Sequence, residues 1–175
     1  LREIICGYGE ILKHSLIMDK NFFTYLNNNG SKILTLKSPF LENAIFQSCR
    51  IKKIIVEKDE KEKELRKILN FGHTFAHAYE ASLNFSKRLN HGEAVILGMK
   101  SAFEFSHNKK LITYKEFNSA IKHLNNSHFP DSIQNYFTIK KVNQIISFMM
   151  RDKKNNSKNI KLMLIRKIGG PIIEK

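Results

Sequence analysis

Apolar residues recur at i, i+3, i+4 and i+7 through most of the 175-residue chain, while the period-two alternation of half-buried strands is scarce. This spacing predicts a mainly α protein, with helices over 3–18, 20–28, 39–57, 62–85, 92–108, 113–126 and 138–150. Ser38-Pro39 opens the third helix, Asn90-His91-Gly92 precedes the fifth, and Phe129-Pro130-Asp131 separates the last two. After a polar loop, DKKNNSKN at 152–159, the run KLMLIRKIGGPII reads as a short strand near the C-terminus, available to pair with an edge from a domain outside this chain. There is no repeat and no long linker, and the length fits a single domain over 1–175. The chain begins at Leu1 without an initiator Met, already in helical periodicity, so it is expected to be a piece of a longer protein.

The fourth predicted helix carries two distinct faces. Glu62, Arg66, Asn70, His73, His77 and Glu80 follow one another at spacings of three or four and share one side. Leu65, Leu69, Gly72, Ala76, Tyr79 and Leu83 form a neighbouring core stripe, with small residues where another helix can approach closely. A polar stripe is ordinarily a solvated face, but lysine usage argues otherwise here. Lys and Arg make up 30 of 175 residues, yet none occurs from Ile68 to Ser86 or from Leu89 to Met99. A polar face without lysine in such a chain points to an enclosed cleft.

His73 and His77 have H-x-x-x-H spacing, which can place both imidazoles on one metal or give one to metal and one to substrate. It is not the H-E-x-x-H of a metalloprotease, since Thr74 and Phe75 follow His73. A catalytic zinc takes three protein ligands and keeps a position open. His91 and Glu10 are candidates to complete such a set, with Glu80 and Glu93 competing and His14, four residues from Glu10, in reserve. His107, His123 and His128 lack companions at ligand spacing and read as surface or packing residues. Gly7-Tyr8-Gly9 is no dinucleotide fingerprint, because no strand precedes it and the third glycine is missing. Neither a Walker A sequence nor a G-x-S-x-G elbow occurs.

The formal net charge of +14 and a pI near 9.8 are compatible with nucleic acid, an acidic membrane surface or a multiply anionic small substrate. The lysines are scattered among acids and asparagine, as in KKIIVEKDEKEKELRK, without aromatic interleaving, so they read as a solvated surface and neither nucleic acid nor membrane is expected as a partner. No run of about 18 apolar residues is present, and a cytoplasmic location is expected. Cys6 and Cys49 stand far apart and fit two ordinary thiols in a reducing compartment.

Taken in order, E-I-L-K at 10–13, R-I-K at 50–52, D-E-K-E at 59–62, R-K-I-L-N-F-G-H-T-F-A-H-A-Y-E at 66–80 and H-G-E-A-V-I-L-G-M at 91–99 resemble the 3-dehydroquinate synthases. The resemblance extends to D-K-K at 152–154 and to the closing L-M-L-I-R-K-I-G, and corresponds to that family's helical C-terminal domain. Ala76 stands where the family usually has glycine between the histidines, and Gly9 where it often has alanine; neither removes a functional group. The resemblance implies cyclisation of 3-deoxy-arabino-heptulosonate 7-phosphate to 3-dehydroquinate with loss of phosphate, a carbon-oxygen lyase step of the shikimate pathway. It also implies NAD, bound by an α/β domain upstream of this chain, a divalent metal (zinc or cobalt), and a homodimer at full length. Carried over by position, the metal ligands fall on Glu10, His73 and His91, and the proton-relay positions on His77 and Asn70. Substrate contacts fall on Lys13, Lys52, Glu62 and Arg66, and on Lys154, which is preferred to Lys153 as a phosphate contact. The readings left standing beside this one are another sugar-phosphate cyclase, an iron-dependent dehydrogenase of a related group, and a basic nucleic-acid-binding helical domain.

Overall fold

The computed structural model describes residues 2–125, 129–151 and 160–174, so His128 and the lysines at 153 and 154 lie outside it. The order is α1 (Arg2–Met18), α2 (Lys20–Leu34), α3 (Phe40–Lys58), a 3-10 segment (Leu65–Asn70), α4 (His73–Ser82), α5 (His91–Asn108) and α6 (Tyr114–Leu124). Two short 3-10 turns lead into α7 (Val142–Arg151), and the described chain closes with β1 (Leu162–Lys167) and β2 (Gly170–Glu174). The mainly α class with a C-terminal strand element is as the periodicity predicts. Among the described residues no helix is long and apolar enough to cross a membrane.

Helix starts follow side-chain capping. Asp19 accepts the Phe22 amide at the head of α2, Thr113 accepts Glu116 at the head of α6, and Asn90 and Glu93 form a reciprocal capping box at α5. The core lies around α1 and α5, where Leu12, Leu16, Ile17, Ile96, Leu97, Met99 and Phe103 are fully buried. Burying each such side chain contributes about 1.5–3 kcal/mol.

Three elements differ from expectation. The helix expected over 62–85 is interrupted, because Gly72 adopts φ 79 between the 3-10 segment and α4. That left-handed turn lets α4 lie directly on α5: a Cβ on Gly98 would sit 2.1 Å from the Gly72 carbonyl oxygen. The second helix, expected over 20–28, runs on to Leu34. Beyond the asparagines at 27–29, Gly30, Ile33 and Leu34 continue the buried stripe that Leu26 carries. Finally, the C-terminal run does not wait for an outside edge. It folds back at Gly169 (φ 84) as an antiparallel hairpin, with Leu162 opposite Glu174 and Leu164 opposite Ile172. The hairpin docks on the helices through Gly169 N–H to the Leu16 carbonyl at 2.8 Å and Ile165 N–H to Ser106 Oγ at 3.1 Å.

Candidate active site

Three helix contacts bring the polar residues together. α1 supplies Glu10, Lys13 and His14, the C-terminal half of α3 supplies Lys52, and α4 begins on His73. His91 is the first residue of α5, whose next residue, Gly92, presses so closely on α1 that a Cβ there would lie 2.2 Å from the Cys6 Cα. Four residues along α1 from Cys6 is Glu10, so this crossing sets His91 beside it. Ligand atoms of Glu10, His73 and His91 all lie within 4.8 Å of one another.

The loop before α4 is held by Asp59. Its carboxylate accepts the amides of Lys63 and Glu64 at 2.8 Å and of Arg66 at 3.0 Å, and these N–H groups hold its pKa below the usual carboxylate range. Within that loop Glu62 takes a left-handed backbone (φ 53), and its Oε1 accepts Asn70 Nδ2–H at 2.8 Å. Asp59, which enters the sequence reading only within the D-E-K-E run at 59–62, shapes the turn that presents Glu62 and Arg66.

Glu10, Lys13, His14, Lys52, Glu62, Arg66, Asn70 and His73 line one cleft of about 200 Å³. A neighbouring hollow of about 500 Å³ shares Glu62 and Asn70 and opens toward the hairpin. His77, one turn along α4, is exposed, with its ring centroid 5.5 Å from that of His73 and 6.2 Å from that of His91. Of the positions expected to touch substrate, only Lys154 lies outside the described residues.

The electrostatics sort these groups further. Burial, reinforced by the charge on Lys13, pushes the His73 pKa down to about 3, so its imidazole is neutral near pH 7. Its Nδ1 faces the Phe71 carbonyl at 3.3 Å, which leaves Nε2 for the cleft, 3.8 Å from Glu10 Oε1. Burial works to raise the Glu10 pKa, but Lys13, donating to Oε2 at 2.7 Å, outweighs it and keeps the carboxyl below its ordinary value. Glu10 Oε1 is buried and has no hydrogen-bond partner. An enclosed anionic oxygen without a donor, facing an imidazole nitrogen lone pair, is costly unless a cation sits between them. The donor set therefore fits a divalent metal: two imidazoles and one carboxylate, with coordination left open for a substrate oxygen.

The competing ligands are otherwise engaged. Glu93 closes the capping box and pairs with Arg2. His14 is buried against Ser48 Oγ at 2.7 Å, and burial holds its pKa down at about 4. Glu80 faces His91 rather than the centre of the set.

Comparison with known proteins agrees with this architecture. The family model described as 3-dehydroquinate synthase C-terminal matches residues 7–155. A 3-dehydroquinate synthase of Pelagibacter ubique is 60% identical over 171 residues, covering 98% of this chain and 46% of that protein. One of Zymomonas mobilis is 38% identical over 175 residues, covering 99% and 46% respectively. The chain thus spans about half the length of these relatives. Among solved structures, a 2-epi-5-epi-valiolone synthase of Streptomyces hygroscopicus with NAD+ and Zn2+ bound superposes with a TM-score of 0.84 at 21% identity, over 99% of this chain and 47% of that one. A 2-deoxy-scyllo-inosose synthase complexed with carbaglucose-6-phosphate, NAD+ and Co2+ superposes with a TM-score of 0.78, also at 21% identity and with the same coverage. At that identity the likeness speaks for the fold. The family match and the identity across nearly the whole chain go further: the chain belongs to the 3-dehydroquinate synthase family.

Proposed function

We propose that this chain is the metal- and substrate-binding part of a 3-dehydroquinate synthase, which cyclises 3-deoxy-arabino-heptulosonate 7-phosphate to 3-dehydroquinate with release of phosphate. The observation that carries the reading is the convergence of Glu10, His73 and His91 beside a cleft lined with Lys13, Lys52 and Arg66. Glu10, His73 and His91 hold the divalent metal, zinc or cobalt. When bound, that ion polarises substrate oxygens, and NAD carried by an upstream half exchanges the hydride.

The remaining work belongs to side chains of this chain. Lys13, Lys52 and Arg66 offset the carboxylate and phosphate of a doubly anionic substrate, and the family motif assigns Lys154 to the phosphate as well. Glu62, braced by Asn70, accepts a substrate hydroxyl. His77 moves the proton that accompanies phosphate departure, exchanging it through an imidazole nitrogen, and Asn70 orients that exchange through its amide hydrogen bonds. On this reading the full-length protein is a cytoplasmic homodimer whose partner molecule is a phosphorylated sugar acid rather than nucleic acid or a membrane.

Fusing this chain to the N-terminal half of the Pelagibacter relative supplies a test. With NAD and zinc, the fusion should release phosphate from the heptulosonate. Release only from other phosphorylated sugars would assign the chain to a different cyclase and overturn the proposal.

A further inference from the structure

We propose that Glu80 is the positioning residue for His91, its carboxylate accepting the His91 Nδ1–H so that the ring is held in the tautomer and orientation that turn Nε2 toward Glu10 and His73. The inference rests on the metal-binding reading of those three residues.

Nδ1 of His91 lies 3.2 Å from Glu80 Oε1 and 3.3 Å from Oε2, so both carboxylate oxygens face one ring nitrogen. The two residues differ in freedom. The Glu80 side chain is 13% exposed, whereas that of His91 is 54% exposed at the first position of a helix. A half-exposed imidazole at a helix start has several rotamers open to it, and an enclosed carboxylate removes that choice.

The backbone makes Glu80 a firm anchor. Its carbonyl accepts the amides of Leu83 at 3.1 Å and Phe85 at 2.8 Å, closing α4 with left-handed residues at Asn84 and Phe85. This turn sends the chain back along α4, so that the residue opening α5 meets the side chain near the end of α4. The partner is also chemically selective. In a chain with 30 lysines and arginines, this carboxylate pairs with a histidine, in a stretch from which basic residues are absent until Lys87. A carboxylate behind a metal-binding imidazole fixes its tautomer and raises its basicity as a ligand.

Zinc affinity of the chain and of the fusion described above, measured by competition with a chromophoric chelator, tests this together with metal-free melting temperature. Glu80→Ala should weaken zinc binding by roughly 10–100-fold while the metal-free protein melts as the parent does. Glu80→Gln, which keeps an acceptor oxygen, should recover much of the loss. In nitrogen-15 spectra of the imidazoles, the His91 Nδ1–H signal should broaden or shift in the alanine variant. Parental zinc affinity in Glu80→Ala, with His91→Ala unable to bind, would overturn the role of Glu80 and leave the metal set intact. Zinc retained by His91→Ala would remove the metal set and the role of Glu80 with it. A loss in Glu80→Ala matched by a lower metal-free melting temperature, with no recovery by glutamine, would reduce Glu80 to a packing residue.

Discussion

His73 and His77 stand one turn apart on α4, yet their surroundings give them different chemistry. His73 is enclosed, carries its Nδ1 on a backbone carbonyl and is held neutral by burial and Lys13. His77 is exposed and lies outside the set of ligand atoms formed by Glu10, His73 and His91. His73→Ala should therefore abolish zinc uptake in a chelator-competition assay. His77→Ala should keep zinc while lowering kcat of the fusion by roughly 10²–10⁴-fold, as expected for loss of a proton-transfer group. Equal loss of zinc in both variants would show the division of labour to be wrong. The convergence of Glu10, His73 and His91 was legible because their types and order match a specific motif set. The pairing of Glu93 with Arg2 and of His14 with Ser48 was not, because those partners lie 91 and 34 residues away, and Glu80 meets His91 only where α4 and α5 pack together.

At the scale of elements, Arg66, Asn70 and His73 line one cleft although the helix expected through them is interrupted: the 3-10 segment carries Arg66 and Asn70 to the opening, and the turn at Gly72 starts α4 with His73 at the same place. The interruption itself is a tertiary matter, set by the contact between Gly72 and Gly98. α5 ends at Asn108 as expected, whereas α2 and α4 end away from the expected 28 and 85, and all three close with six-to-one bonds around left-handed residues that are not glycine. These are Lys37 N–H to Lys32 around Leu36, Phe85 N–H to Glu80 around Asn84, and Leu111 N–H to Ser106 around Lys110. Lys110 is exposed and has φ 57, so its Cβ costs energy and its side chain is not buried in return. Lys110→Gly should raise stability by about 1 kcal/mol, or roughly 2–4 °C in Tm. Lys110→Ala, which removes the same charge but keeps a Cβ, should give no gain in the same melt.

At the scale of the whole molecule, the chain combines a net charge of +14 with two histidines, His14 and His123, buried in the neutral form. His123 shows what this implies. Its Nε2 faces the Tyr8 hydroxyl at 2.9 Å and its Nδ1 faces Asn27 Oδ1 at 3.1 Å, an arrangement complete for a neutral ring that donates from Nδ1 and accepts at Nε2. Protonation would make both nitrogens donors and leave the buried Tyr8 proton without its acceptor. Burial accordingly pushes the His123 pKa down to about 4, from 6.5. The sign follows from proton counting. Between those two values the unfolded chain binds more protons than the folded one, so stability is full above pH 6.5, falls as pH drops toward 4, and changes no further on this account below it. A shift of this size corresponds to about 3 kcal/mol, and His14 acts in the same direction. Self-repulsion among the basic residues should steepen the decline at low ionic strength. His123→Phe fits a site already walled by Tyr8, Phe23 and Phe129, but leaves the Tyr8 hydroxyl unpaired at a cost of about 1–3 kcal/mol. In urea titrations from pH 7.5 to 4, the variant should start less stable than the parent and lose stability more slowly, the two curves converging toward the acid end. Parallel curves would mean that His123 is not the group that takes up the proton.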